Sequence, residues 1–159
     1  MLRTILENDG KLVLGGFKTA GVYKTGMGVT KNEATGVATI PGSETGTDLF
    51  LLDKERIPTG INAARTDMSD YDNDFNTFAS GEQCKLRAFV ANEKFAVDQY
   101  DATNCVAANA GKYAAVGTDG KWTIAASSTD SEYVFLGLHN DAGHVLALIE
   151  CVKAVGKNS

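Results

Sequence analysis

KYAAVGTDGKWTIAA, residues 112–126, is the stretch whose reading decides the fold class. Two short β-prone runs flank Thr118-Asp119-Gly120, and both Asp and Gly tolerate the positive φ of a type I′ turn, so Asp-Gly between such runs is a strong hairpin signal. Working outward, EYVFLGLHN (132–140) and GHVLALIECVK (143–153) form a second strand pair joined by the turn His139–His144. Their nearly continuous apolar runs suit strands buried on both faces, in a barrel or against a neighbouring subunit. On the other side, CKLRAFVA (84–91) alternates Cys84, Leu86, Ala88 and Val90 against Lys85, Arg87 and Phe89, and EKFAVDQY (93–100) alternates Phe95 and Val97 against Lys94, Ala96 and Asp98. That period of two marks half-buried strands, with Ala91-Asn92-Glu93-Lys94 as the turn between them. The long helices of an α/β fold are missing, so the expectation is all-β: a small antiparallel β-barrel, or a β-tulip-like sandwich, of roughly six to eight strands.

The first part of the chain has a different character. Nine of the 17 glycines precede residue 47, and between them lie only short β-prone pieces, KLVLGG (11–16), GVYKTG (21–26), GMGVT (26–30) and GVATI (36–40). Such pieces are too brief and too weakly apolar to close a core alone. Residues 1–46 are therefore expected as an extended Gly-rich N-terminal arm or as edge strands completed by something else. An N-terminal strand and loop packed on the same domain is the other reading. If the segment is an arm, Leu12, Val13, Leu14, Phe17, Val22, Tyr23 and Val29 are its candidate partner-binding residues. From 47 to 159 the barrel domain is expected, with Leu49-Phe50-Leu51-Leu52 as one short buried strand and a long polar loop over 61–82.

Composition narrows the function classes. A 159-residue chain is about the size of one domain, and 43% hydrophobic with 22% charged residues is a globular composition. A net charge of -5 with scattered Lys and Arg argues against a nucleic-acid partner, and no apolar run is long enough for a spanning helix, so neither nucleic acid nor membrane is expected. The opening MLRTILENDGKLVLGG carries acidic residues where a secretory signal has its apolar stretch. Cys84, Cys105 and Cys151 are an odd count without CxxC spacing, each in or beside an apolar segment; buried thiols are expected, with a disulfide between two strands left open.

Chemistry-bearing constellations are few. His139 and His144 flank the last turn and with Asp141 offer a conceivable divalent-metal site, or else subunit contacts. Asp70, Asp72 and Asp74 match the first positions of an EF-hand loop, but Phe75 stands where the sharp-turn glycine belongs and Gly81 where the bidentate glutamate belongs, so a solvated or capping loop is favoured. No nucleophile-elbow, zincin, Walker-type or dinucleotide motif is present. Trp122 is expected in the core or, with His139 and His144, at an interface. A non-enzymatic protein without a cofactor or metal is the reading these residues favour.

The order of pieces in the second half resembles small structural proteins of tailed bacteriophages that decorate or cement the capsid. The resemblance lies in the polar lead-in Ser80-Gly81-Glu82, the stretch CKLRAFVANEKFAVDQYDA (84–102), Gly111-Lys112-Tyr113, the Thr118-Asp119-Gly120-Lys121 turn and the closing EYVFLGLHNDAGHVLALIECV (132–152), about half of the chain. It implies a β-barrel or β-tulip domain that sits on the virion's capsid surface as a dimer or trimer, is assembled in the host cytoplasm, and meets the major capsid protein, partly through the N-terminal region. A small tail or fibre module that binds a host-surface glycan, with Trp122, Tyr71 and Tyr133 as platforms, is the alternative.

Overall fold

The computed structural model describes residues 1–6, 13–54 and 76–159. The protein is all-β. Among the described residues thirteen strands run in chain order: β1 (Leu2–Leu6), β2 (Val13–Thr19), β3 (Tyr23–Lys24), β4 (Gly28–Asn32), β5 (Val37–Thr39), β6 (Phe50–Asp53), β7 (Thr77–Phe78), β8 (Gln83–Arg87), β9 (Lys94–Val97), β10 (Tyr113–Val116), β11 (Trp122–Ile124), β12 (Ser131–Asp141) and β13 (His144–Gly156). A short 3₁₀ turn occupies Ala107–Asn109. The strands form two bodies and a small ribbon: a six-stranded sheet in the order β1-β9-β13-β12-β10-β11, a closed barrel β2-β5-β4-β6-β8, and the pair β3-β7.

The barrel is smaller than expected and draws on the other end of the chain. Three of its five strands, β2, β4 and β5, come from residues 13–39, and the "something else" that completes them is β6 and β8 of the same chain. An arm boundary at residue 46 therefore does not describe residues 13–46. Thr45 also exchanges backbone hydrogen bonds with Val116, and Gly46 accepts one from Glu132. One barrel pair, β2 with β5, is parallel; the others are antiparallel.

β8 and β9, expected as two arms of one hairpin, belong to different bodies. The reason lies in residues 88–93. Asn92 takes a positive φ of 74°, the Glu93 carboxylate accepts the Val90 N–H at 2.9 Å, and Phe89 packs its ring on Phe95 at 4.4 Å, so the chain leaves the barrel and enters the sheet within one tight corner. β8 keeps the alternation read from the sequence, with Cys84 and Leu86 buried, whereas Phe95, Ala96 and Val97 of β9 are all buried.

The other two expected hairpins form, but the positive-φ turn expected at Asp119-Gly120 is found in the last hairpin instead. β10 and β11 pair with Val116 opposite Trp122, but only Gly120 has a positive φ (79°), its N–H bonds to the Gly117 carbonyl, and the Asp119 carboxylate accepts the Lys121 N–H. That is a type I turn closed by a left-handed glycine rather than type I′. The positive φ pair sits at Ala142 and Gly143 (51° and 94°), the two-residue turn between β12 and β13, where Asn140 Oδ1 accepts the Gly143 N–H at 2.7 Å.

Among the described residues two large cores fill these bodies, and a small third cluster gathers Met1, Ala96 and Leu146. Under the sheet, Phe95, Trp122 and Tyr133 meet edge to face with centroids 4.9 to 6.1 Å apart, together with Phe135, Val116 and Ile149. In the barrel, Phe17, Val29, Ala38, Leu52, Phe78, Cys84 and Leu86 pack together. β6 lies between the two. Leu49 and Leu51 belong to the sheet core and Leu52, with Phe50 against it, to the barrel core, so the run Leu49–Leu52 is apolar at successive positions because each face meets a different core.

Candidate functional site

The sequence-expected partner residues are mostly spent on the protein's own core. Phe17 and Val29 are buried in the barrel, and Leu14 and Tyr23 pack against it, the Tyr23 hydroxyl accepting the Ile40 N–H at 3.4 Å. Among the described members of the set, Val22 alone stands out to solvent, 69% exposed, in the turn before β3. Leu12 lies outside the described residues, as does the side chain of Val13, whose backbone opens β2. Asp70, Asp72, Asp74 and Tyr71 also lie outside the described residues.

Trp122 and Tyr133, read as possible interface or glycan platforms, are core residues. Trp122 is fully buried and its indole N–H donates to the Gly26 carbonyl at 3.2 Å, tying the sheet to the barrel side. The Tyr133 hydroxyl donates to the Leu49 carbonyl at 3.4 Å, and burial pushes its phenol well above the usual tyrosine range. Neither ring is available to a sugar or a partner.

The three thiols are free and buried, one in the barrel and two in the sheet. No disulfide forms. Burial, with nearby carboxylates, pushes Cys84, Cys105 and Cys151 each up to about 11, so all three are protonated near neutrality and poor nucleophiles. Cys84 borders a cleft of about 280 Å³ beside the bulged Gly15-Gly16 of β2, with Asp53 and Lys85 on its rim.

At the last turn, Asp141 stands opposite His144, and its carboxylate accepts the Arg3 Nε–H at 2.8 Å; His139 stands opposite Leu146. Among the described residues no group of three or more His, Cys, Asp or Glu side chains is placed to hold a metal ion.

Two surface features were not legible beforehand. The first is the free end of the β12–β13 hairpin. These strands are 11 and 13 residues long, while β9 pairs with β13 only from Ala147 to Glu150 and β10 with β12 only at Tyr133 and Val134. The hairpin therefore outruns its sheet. Ala147, Ile149 and Cys151 alternate onto the core side; Val145 continues that side past the edge of the core, with Leu138 paired to Ala147 beside it. Leu138 is 45% and Val145 47% exposed, and against β12 lies the 101–111 loop, whose Ala107, Ala108 and Ala110 are exposed, Ala110 lying 3.9 Å from the place a Cβ on Gly137 would take. The loop is held there by the Gly111 N–H bond to the Phe135 carbonyl and by the Tyr100 hydroxyl bond to the Val145 carbonyl.

The second is a cleft of about 390 Å³ between the start of that loop and the β10–β11 turn, lined by Tyr100, Asp101, Ala102, Gly117, Thr118, Asp119, Lys121 and Thr123. Asp101 accepts the Thr103 N–H at 2.9 Å and the Asn104 amide at 2.6 Å, and these bonds, the Thr103 N–H above all, hold its carboxyl below the usual range. No protein-family model matches this chain, and no curated protein and no solved structure matches it significantly.

Proposed function

We propose that this chain is a structural virion protein that binds the outer surface of a tailed-phage capsid and stabilises it by bridging neighbouring capsid subunits. The observation that carries the reading is the apolar surface at the projecting hairpin, Leu138 and Val145 with the loop alanines against β12. Exposed apolar side chains gathered at the end of two overlong strands, with polar Asn140 beside them in β12, have the make-up of a contact surface rather than of an active site. The raised thiols and the carboxylate already committed to Arg3 supply no reactive partner for such a surface. A symmetric shell presents the same groove many times, so a modest patch on a dimer or trimer gains avidity from repeated engagement.

Co-sedimentation with purified capsids that lack the protein tests this. Wild type pellets with the capsids, and Leu138→Asp combined with Val145→Asp weakens binding at least tenfold while the far-UV spectrum and melting temperature stay close to wild type. A strict monomer that fails to pellet with any capsid sinks the reading.

A further inference from the structure

We propose that the cleft between the 100–104 segment and the Gly117–Lys121 turn is a binding site for a neutral carbohydrate. Its size falls within the roughly 300–1,000 Å³ of small-ligand sites. The lining decides the class of ligand. Tyr100 supplies one aromatic wall, Asp101 and Asp119 supply carboxylate acceptors, Lys121 an ammonium donor, and Thr118 and Thr123 hydroxyls that both donate and accept. A ring with an apolar face and vicinal hydroxyls answers every one of these groups at once, its C–H face against the phenol and its hydroxyls shared among the carboxylates, ammonium and threonines.

Other ligand classes fit less well. An anion meets two carboxylates on a chain of net charge -5. A wholly apolar ligand strips water from both carboxylates, the Lys121 ammonium and the threonine hydroxyls and offers them no hydrogen bond in return. A divalent cation needs several converging oxygens, whereas Asp101 is engaged by Thr103 and Asn104 and Asp119 by the Lys121 N–H, with the Lys121 ammonium 3.7 Å from its other oxygen.

The walls are held before any ligand arrives. The Asp101 N–H donates to the Trp122 carbonyl at 2.8 Å, the Trp122 N–H donates to the Gln99 carbonyl at 3.0 Å, and Gly117 N–H to Lys121 carbonyl closes the turn at 2.9 Å. Both sides of the cleft are thereby fixed to the one fully buried tryptophan, so little ordering cost falls on binding. Gly117 helps to keep the space open, since a Cβ there lies 3.2 Å from the Asp119 carboxylate.

The test is a titration of the isotope-labelled full chain with glucose, galactose, mannose, N-acetylglucosamine, maltose and lactose, one at a time, followed by amide and aromatic NMR. At least one sugar produces saturable shifts confined to residues 100–104 and 117–123, and both Tyr100→Ala and Asp119→Asn weaken that binding at least tenfold, while Tyr100→Phe retains it. Asn keeps an acceptor for the Lys121 N–H, which preserves the turn. If no sugar of the panel saturates, if the shifts map elsewhere, or if calcium chloride alone moves the cleft amides where sugars do not, the carbohydrate site is refuted. Capsid binding is read separately by sedimentation, so either proposal fails without the other.

Discussion

The five-stranded barrel closes on itself around mostly small and medium side chains, Val29, Ala38, Leu52, Cys84 and Leu86 beside Phe17 and Phe78, whereas the six-stranded sheet stays open at β1 and β11 and rests on four large rings, Phe95, Trp122, Tyr133 and Phe135. Closure leaves the barrel no strand edge to defend. An open sheet carries edges, and here it also carries a hairpin longer than its neighbours. The contrast explains why both candidate surfaces lie on the sheet side although the glycine-rich first part looked like the region that meets a partner. Two of those glycines, Gly28 and Gly46, serve a different end: they let the two bodies touch. A Cβ on Gly28 falls 2.2 Å from Val116, and one on Gly46 falls 2.4 Å from the Ser131 side chain and 2.7 Å from its Cα.

The largest test of this contrast is Trp122→Ala. Removing a fully buried indole from the sheet core costs about 3–5 kcal/mol, read by urea denaturation. Because the indole N–H also bonds Gly26, barrel and sheet should lose stability together. Separate transitions, with Cys84 labelling in the barrel resolved from Cys151 labelling in the sheet, would show that the bodies unfold independently.

A middle-sized effect is expected at the seam. Gly46→Ala forces Ser131 and its backbone to move and costs about 1–3 kcal/mol, as overpacking does. Gly42→Ala, where a Cβ meets nothing within 4 Å, serves as the control and stays within about 0.5 kcal/mol of wild type. Equal effects at the two positions would overturn the close-approach role assigned to Gly46.

The smallest effect near neutrality is a dependence on pH. The folded thiols titrate near 11 against about 9 when unfolded, so the folded state holds its protons more tightly. The stability they contribute is fully present below about pH 9 and is lost as pH rises toward about 11. Melting temperature should be insensitive to these groups at neutral pH and fall across that alkaline window, and replacing all three cysteines by alanine should flatten the fall at some cost in core packing. A melting curve that declines equally in the triple variant would assign the alkaline loss to other groups.

Much of the architecture was legible in short-range patterns. The Thr118-Asp119-Gly120 and Ala142-Gly143 turns, the alternation of Cys84 and Leu86, and the unbroken apolar runs of β12 and β13 mark strands because turn propensity and a period of two are local properties of the chain. The candidate surfaces were less legible. Leu138 and Val145 read as interior strand residues until the lengths of β9 and β10 are known, and Tyr100 becomes a cleft wall only when the β10–β11 turn is brought beside it.

By itself, then, the sequence determined that the chain is all-β, where two of its hairpins turn, and that Leu49–Leu52 is a strand segment packed into the interior. Which body each strand joins was decided only in the tertiary structure. β8 and β9 look like partners in sequence and separate at Asn92, while β2, β4 and β5, too brief to hold a core alone, are completed by β6 and β8 from the middle of the chain. The physical reason is that strand pairing is a non-local choice. Backbone hydrogen bonds are interchangeable between strands, and the selection falls to side-chain volumes and close approaches such as Gly28 on Val116 and Gly46 on Ser131, which exist only once the two bodies meet.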